Sequence, residues 1–247
     1  MEEVSFDCGK RWAIYIDIQG FGALWDTGDK ALLALGELMR AIFRVGGKYC
    51  TASPDRLFAH QFGDGFLIVS EFEEVPLERC VTIAIALLRH VAATGCFAKA
   101  SIVEGDMLDI KGCYPDEIMV NHDSNSLIDL GEGLMTITPV MGTALIRGVK
   151  LDKKSPKGPL LVIEKEKLDR LPQGISTCDA DKEIVSINWI TYQSNLLFDI
   201  QQRANLTSPS KTEMEELLLR YCKAHEKIPE EWVQNVNEHL LSRKDNQ

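Results

Sequence analysis

The stretch that decides the fold is residues 11–26, RWAIYIDIQGFGALWD, together with residues 57–71, LFAHQFGDGFLIVSE. The apolar run in the first stretch predicts a buried strand that ends at Asp17. In the second stretch, two apolar runs flank Gly63-Asp64-Gly65, a pattern typical of a β-hairpin with an acid at its tip. A carboxylate at the end of a core strand costs folding energy unless it is paired. Two carboxylates on neighbouring strands therefore predict a divalent metal site.

The composition predicts a globular α/β or α+β protein. Of the 247 residues, 45% are hydrophobic and 26% are charged, as in ordinary soluble domains. No apolar run reaches the roughly 18 residues that span a bilayer, and the sequence predicts no secretory signal. The net charge of −10 argues against a nucleic-acid partner. The seven scattered cysteines favour reduced thiols, so we expect a cytoplasmic protein without a membrane partner.

The predicted elements follow the order β-α-β-β-α-β. Helical spacing of apolar residues marks one helix from about Lys30 to Val45, and Pro76 opens a second. A further strand follows at Phe97–Val103, then a helix opened by Thr138-Pro139 and two more strands. This order is the ferredoxin-like or palm arrangement, which we assign to a domain of residues 10–203.

The predicted C-terminal unit, residues 204–247, is a helical hairpin. Ser210-Lys211-Thr212-Glu213 is a capping box, and Pro229 opens a second helix. We expect this unit to pack on the core or on a partner subunit. The histidines lack ligand-like spacing, and four of them are predicted to be surface or loop residues: His90, His122, His225 and His239.

The motif D-I-x-G-F at Asp17–Phe21, with G-D-G-F at Gly63–Phe66, resembles the class III nucleotidyl cyclase family. The resemblance implies that Asp17 and Asp64 bind two divalent ions, Mn²⁺ or Mg²⁺, with the backbone carbonyl of Ile18 as a further ligand. One ion would activate a ribose 3′-hydroxyl, and the other would neutralise the triphosphate and the leaving pyrophosphate. It also implies a head-to-tail homodimer whose active sites combine residues of both chains.

Residues on either side of the metal acids have predicted roles in nucleotide binding. Backbone amides of the turn after Asp17 would bind phosphate oxygens, and these turn residues are Gln19, Gly20, Phe21 and Gly22. Adenylyl cyclases carry a base-reading lysine four positions before the hairpin acid, and this chain has His60 there. Tyr49, just before the hairpin, is of a size to help fill a small base pocket.

The late helix departs further from the family. If its opening glycine is Gly142, Pro139 stands in place of the second base-reading acid. On the same alignment the transition-state asparagine is replaced by Ile146 and the catalytic arginine by Lys150, with Arg147 close enough to substitute. The predicted catalytic residues are therefore Arg147 and Lys150.

Three readings of the site follow from these departures. The compact size and altered base pocket are similar to those of the uridylate cyclases of the bacterial Pycsar anti-phage system. That resemblance implies conversion of UTP to cyclic UMP. An adenylyl or guanylyl cyclase and a non-catalytic nucleotide-binding module remain alternatives. A diguanylate cyclase is disfavoured, because Gln19 stands where that family has a second acid.

Overall fold

A seven-stranded mixed sheet runs through the molecule, and helices cover both of its faces. The computed structural model describes residues 11–21, 30–51, 55–109, 127–129, 134–136, 140–224 and 228–241. The spatial order of the strands is β10-β11-β9-β4-β1-β3-β2. Strand β9 lies parallel to β4, and the other neighbours in this sheet are antiparallel. The predicted mixed α/β class is confirmed.

The strands and helices have the following bounds. The strands of the large sheet are β1 (Arg11–Ile18), β2 (Leu57–Phe62), β3 (Gly65–Ser70), β4 (Ala98–Gly105), β9 (Leu161–Glu164), β10 (Thr177–Asp179) and β11 (Ile184–Ile187). Two small two-stranded sheets contain β5 (Leu108–Asp109) with β8 (Val140–Met141), and β6 (Leu127–Asp129) with β7 (Leu134–Thr136). The α-helices are α1 (Lys30–Arg44), α2 (Glu78–Ala92), α3 (Thr143–Lys154), α4 (Asn195–Arg203), α5 (Lys211–Ala224) and α6 (Glu230–Val236). Short helical turns follow α1 at Val45–Tyr49, β9 at Lys165–Arg170 and α6 at Asn237–Leu241.

Strand β1 is central because it is apolar on one face and pairs with a strand on each edge. Its alternate residues Trp12, Ile14, Ile16 and Ile18 are buried, as the two-residue period of a strand requires. Helices α1 and α2 follow β1 and β3 as crossover connections, which place both helices on one face of the sheet. The opposite face carries Tyr15 and is covered by α3.

Helix α3 lies unusually close to β1 because it has a glycine at the contact. A Cβ added at Gly148 would lie 2.9 Å from Cβ of Tyr15. The hydroxyl of Ser101 donates to the carbonyl of Gly148 at 3.2 Å. Gly148 therefore sets the distance between the helix and the sheet.

We expect Gly148→Ala to destabilise the protein by about 1–3 kcal/mol, because the added methyl must push α3 away from a central strand. The matched control is Gly36→Ala in α1, where an added Cβ meets nothing within 4 Å. That change should stabilise the protein by about 0.5–1 kcal/mol through helix propensity. Chemical denaturation of both variants measures the difference. Equal effects of the same sign would contradict this account.

The start of α3 differs from the sequence prediction. The helix begins at Thr143, and Val140 lies in β8, where it pairs with Asp109. Thr138 and Pro139 fall outside the described residues. The helix starts late because its first turn is held by the end of β4: the amide of Ala144 donates to the carbonyl of Asp106 at 3.2 Å. This long-range contact has no local signal in the sequence.

The sequence predicts neither the four short strands β5 to β8 nor two elements of the large sheet and its cover. One is β10, at the edge of the sheet, and the other is α4, whose N-cap is Ser194. The Ser194 hydroxyl accepts from the amide of Leu197 at 3.1 Å. The sequence predicts that the first helix, α1, ends at the glycines at positions 46 and 47. In the structure, a π-helical turn continues the chain in helical form to Tyr49.

The C-terminal helices share the core of the preceding domain. The capping box is confirmed, since the amide of Ser210 donates to Glu213 at 2.7 Å and the amide of Glu213 donates to the Ser210 hydroxyl at 3.3 Å. The second helix starts after Pro229, as predicted. Apolar side chains of the tail join the same buried cluster as the sheet residues, among them Met214, Leu218, Tyr221, Trp232, Val236 and Leu240.

Two histidines expected at the surface are buried instead. His90 accepts at Nδ1 from the amide of Thr207 at 2.9 Å, and its Nε2 lies 3.2 Å from a carboxylate oxygen of Glu37. His239 Nδ1 lies 2.7 Å from the Ser186 hydroxyl. Both were mispredicted because their partners are distant in sequence. His122 and His225 fall outside the described residues. None of the helices in the described part of the chain combines the length and apolarity needed to cross a bilayer.

Candidate active site

Two acids meet at one end of the sheet. Asp17, near the carboxyl end of β1, pairs with Gly65 of β3, and Asp64 lies in the two-residue turn between β2 and β3. The two carboxylates are close enough that Asp64 contributes to the raised pKa of Asp17. A Cβ added at Gly65 would lie 3.3 Å from Oδ1 of Asp17 and 3.1 Å from the carbonyl oxygen of Ile16. Glycine at this position therefore leaves room for the Asp17 carboxylate.

The surroundings favour the protonated form of Asp17. Burial raises its pKa to about 7, with further increases from the charges of Asp64 and Asp152 and an opposing contribution from the amide of Ile18. Burial and the same acids raise the pKa of the neighbouring Tyr15 to about 12. The end of the sheet therefore holds more negative charge than its surroundings neutralise, which is the condition that a bound cation relieves.

The donor atoms fit a hard divalent ion. Two carboxylates and the carbonyl of Ile18 supply oxygen ligands of the kind that Mg²⁺ and Mn²⁺ prefer. Within the described residues, no group of three or more histidine, cysteine, aspartate or glutamate side chains is placed to hold a metal. An ion here would therefore complete its coordination with water or phosphate oxygens, as Mg²⁺ commonly does in phosphoryl-transfer sites.

The charge of Asp17 makes a pH-dependent contribution to stability. Its pKa is about 7 in the folded protein and about 3.9 in an unfolded chain. Folding therefore takes up a proton between these values, and the stability that this proton provides is lost as the pH rises through 7.

We expect Asp17→Asn to stabilise the metal-free protein by about 1–2 kcal/mol at pH 8, after discounting the shift for partial exposure. At pH 3 the gap should close, because Asp17 is then protonated in both the folded and the unfolded wild type. Denaturation in the presence of a chelator at the two pH values measures this. A variant that is less stable than the wild type at pH 8 would contradict the buried-charge account.

The turn after Asp17 is partly available for phosphate binding. Gly20 has a positive φ of 70°, a left-handed conformation that favours glycine. The amide of Gln19 donates to the carbonyl of Phe97 at 2.8 Å, so this amide is already used within the chain. The prediction that it binds phosphate is wrong for this conformation. Phe21 is half-buried, and Gly22 lies outside the described residues.

Lys99 is a feature of this site that sequence reasoning missed. It lies directly opposite Asp17 on β4 and is 6% exposed. Its Nζ donates to the carbonyl of Asp152 at 2.8 Å and lies 3.5 Å from the Asp152 carboxylate. A signal was present, since a lysine inside an apolar strand needs a partner when it is buried. The partner, at the end of α3, was not predictable from local sequence.

His60 lies on the same sheet face as the acids. It pairs with Leu67 of β3, which in turn pairs with Tyr15 of β1. Directly opposite residues of an antiparallel sheet project to the same face, so His60 stands two strands, about 10 Å, from Tyr15. His60 therefore lies on the same face of the sheet as Asp17, but it is not in contact distance of the two carboxylates.

Tyr49 is placed away from this face. It follows α1, a helix of 15 residues, which carries the chain about 22 Å from the Asp17 end of the sheet. The charged residues whose fields act on its hydroxyl include Arg79, Asp199 and Arg203. The predicted contact between Tyr49 and a base bound near His60 is therefore not formed within one chain.

The guanidinium of Arg147, one of the two predicted catalytic cations, lies away from the acids of its own chain, whereas Lys150 is nearer the end of α3 that carries Asp152. Arg147 donates to the carbonyl of Glu104 at 2.8 Å, and Glu104 pairs with Trp12. Trp12 and Asp17 are five positions apart on β1, which corresponds to about 17 Å. Lys150 is exposed one turn further along α3. A single chain therefore does not assemble the acids with Arg147.

No family model matches the chain, and no curated protein is significantly similar to it.

Proposed function

We propose that this protein is a metal-dependent nucleotidyl cyclase that converts UTP to 3′,5′-cyclic UMP and pyrophosphate, a second-messenger reaction in anti-phage defence. The observation that carries the proposal is the Asp17–Asp64 pair at the end of the central strand. The first four strands add support through their spatial order β4-β1-β3-β2, which is the order expected of the ferredoxin-like palm.

Two ions, Mn²⁺ or Mg²⁺, would supply activation of the ribose 3′-hydroxyl and neutralisation of the leaving pyrophosphate. The role of the protein chain is to bind the ions and to orient the nucleotide. Asp17 and Asp64 would hold the ions with their carboxylates, and Asp17, whose pKa is about 7, would give up its proton when an ion binds. The left-handed conformation of Gly20 is of the kind that lets backbone amides of a turn bind phosphate oxygens.

The separation of the two predicted groups supports a homodimer with composite sites. The guanidinium of Arg147 lies about 17 Å along the sheet from Asp17, so in this arrangement it would serve the acids of a second chain. The exposed positions of Arg147 and Lys150 leave both available to such a partner.

Complementation between inactive variants tests the composite site. We expect no activity from Asp64→Ala alone or from the double variant Arg147→Ala/Lys150→Ala alone. Mixing them should restore activity, up to about a quarter of the wild-type rate, because half of the randomly paired dimers then hold one intact site of two. The measurement is cyclic nucleotide formation after subunit exchange, with exchange shown by differently tagged chains. No recovery despite exchange would overturn the composite arrangement.

Product identification tests the reaction itself. The full-length protein is incubated with Mn²⁺ and each of the four ribonucleoside triphosphates, and the products are identified by mass. Cyclic UMP supports the proposal. Cyclic AMP or cyclic GMP as the main product would favour an adenylyl or guanylyl cyclase. Nucleotide binding without any product would favour the non-catalytic module, a reading that gains weight from Ile146, a 51% exposed apolar residue where the family has an asparagine.

A further inference from the structure

We propose that Lys99 and Asp152 form a fixed charge pair that sets the metal affinity of the Asp17–Asp64 site, with Lys99 as a positioning residue and permanent counter-cation. This inference rests on the proposed metal site. It assigns a role to two residues outside the motifs that carry the family resemblance.

The first observation is the placement of Lys99. Strand pairing sets it directly opposite Asp17, and such neighbours have Cβ atoms about 5 Å apart. The side chain is almost fully buried, so its charge acts through protein rather than through bulk water. Burial lowers the pKa of Lys99, and the charges of Asp152 and Asp17 oppose that shift. The ammonium group of Lys99 therefore interacts electrostatically with both Asp152 and Asp17.

The second observation is the way in which Lys99 is held. Its Nζ donates to the carbonyl of Asp152 at 2.8 Å and to the carbonyl of Ser155 at 3.4 Å. These carbonyls lie at the C-terminal end of α3, where the helix dipole favours a cation. Because Lys99 is tied to the helix end, its charge is fixed beside Asp17 and does not follow the carboxylate when an ion binds.

The third observation concerns Asp152. Its Oδ1 atom is buried and has no hydrogen-bond partner among the described residues, although Lys99 Nζ lies 3.5 Å away. The rest of the side chain reaches solvent, since 21% of it is exposed, and the carboxylate forms an ion pair with Lys99. Its charge acts on Asp17, whose pKa it helps to raise. Asp152 thus adds negative potential to the site without being placed as a ligand.

The four groups give the site an intermediate charge. With all groups ionised, Asp17, Asp64 and Asp152 with Lys99 carry a net charge of −2. Removing the lysine would deepen the potential that attracts a divalent cation, and removing the Asp152 charge would weaken it. A unit charge at about 8 Å changes the affinity for a divalent ion by roughly tenfold at an effective dielectric constant of about 60.

The test is a charge series on the full-length protein. Mn²⁺ binding is measured at pH 8, without nucleotide, for the wild type and for Lys99→Met, Asp152→Asn and the double variant. We expect Lys99→Met to bind Mn²⁺ about tenfold more tightly and Asp152→Asn about tenfold more weakly, with the double variant within about threefold of the wild type. The matched control, Lys182→Met on an exposed turn, should leave the affinity unchanged.

The opposite signs separate this role from a structural one. If Lys99 and Asp152 only held α3 in place, both single variants would loosen the site and weaken Mn²⁺ binding, and that result would overturn the inference while the metal site stands. A wild type that binds no Mn²⁺ would overturn the inference and the metal site together. If Lys99→Met fails to fold, Lys99→Gln keeps a donor for the Asp152 carbonyl and carries the same expectation.

Discussion

Asp64→Asn is expected to lower the rate of cyclic nucleotide formation by at least about 1,000-fold, equivalent to about 4 kcal/mol of transition-state stabilisation. Asp17→Asn should have a comparable effect. Each substitution keeps the size of the side chain but removes the charge that holds a divalent ion. Within the described residues, no group of three or more histidine, cysteine, aspartate or glutamate side chains is placed to hold a metal, so we expect no other group to compensate.

The fold should survive both substitutions, because neither acid belongs to the apolar core. A matched control is Asp181→Asn, which changes another aspartate in a hairpin turn, between β10 and β11 at the far edge of the same sheet. That variant should retain the wild-type rate. Initial rates at saturating Mn²⁺, with circular dichroism as a check on folding, decide the matter. More than a tenth of the wild-type rate in either site variant would refute the metal assignment.

UTP is expected to be preferred over ATP and GTP by at least about 100-fold in kcat/KM, or roughly 2.7 kcal/mol. His60 provides the reason. It stands on the face of the acids where adenylyl cyclases carry a base-reading lysine, and a neutral imidazole can donate to a uracil carbonyl or accept from its N3–H. A purine presents a different pattern of donors and acceptors, so buried polar groups of the site would lose their partners.

Steady-state kinetics with each triphosphate measures this preference. His60→Ala should reduce the preference for UTP, because the variant loses the group that reads the base but keeps the metal acids. His239→Ala is the control for the loss of a histidine. His239 lies in the C-terminal turn, where it contacts the Ser186 hydroxyl of β11, and it is not on a strand that carries the acids. A purine triphosphate that turns over as fast as UTP would refute the base assignment.

Local signals in the sequence predicted those parts of the molecule that local forces determine. Strand β1 and the β2–β3 hairpin followed from apolar runs and from the glycines around Asp64, and the capping box followed from Ser210 and Glu213. Each of these features is set by residues within a few positions of one another. The meeting of Asp17 and Asp64 joins residues 47 positions apart, and it was expected from the order of the two motifs, which resembles that of the class III cyclases, and not from local signals.

Features that depend on distant contacts were not predictable in this way. The late start of α3 is set by Asp106 at the end of β4, and the burial of His90 is set by Thr207. The pairing of Lys99 with Asp152 joins a strand to the end of a helix 53 positions later. The distance between Arg147 and Asp17 likewise became measurable only once the register of β1 and β4 was known.

The contact of the tail with the turn after Asp17 has a consequence for biosynthesis. Tyr221 of α5 packs edge-on against Phe97 at 5.2 Å between ring centroids, and its hydroxyl lies 3.5 Å from the carbonyl oxygen of Gln19. Trp232 of α6 packs on the other side of Tyr221, with ring centroids 5.5 Å apart. These residues leave the ribosome some 200 positions after the turn that they cover. A nascent chain can therefore form the β2–β3 hairpin, which carries Asp64, early in synthesis. The Gln19–Gly20 turn acquires its contacts with Tyr221 only after the tail has been synthesised.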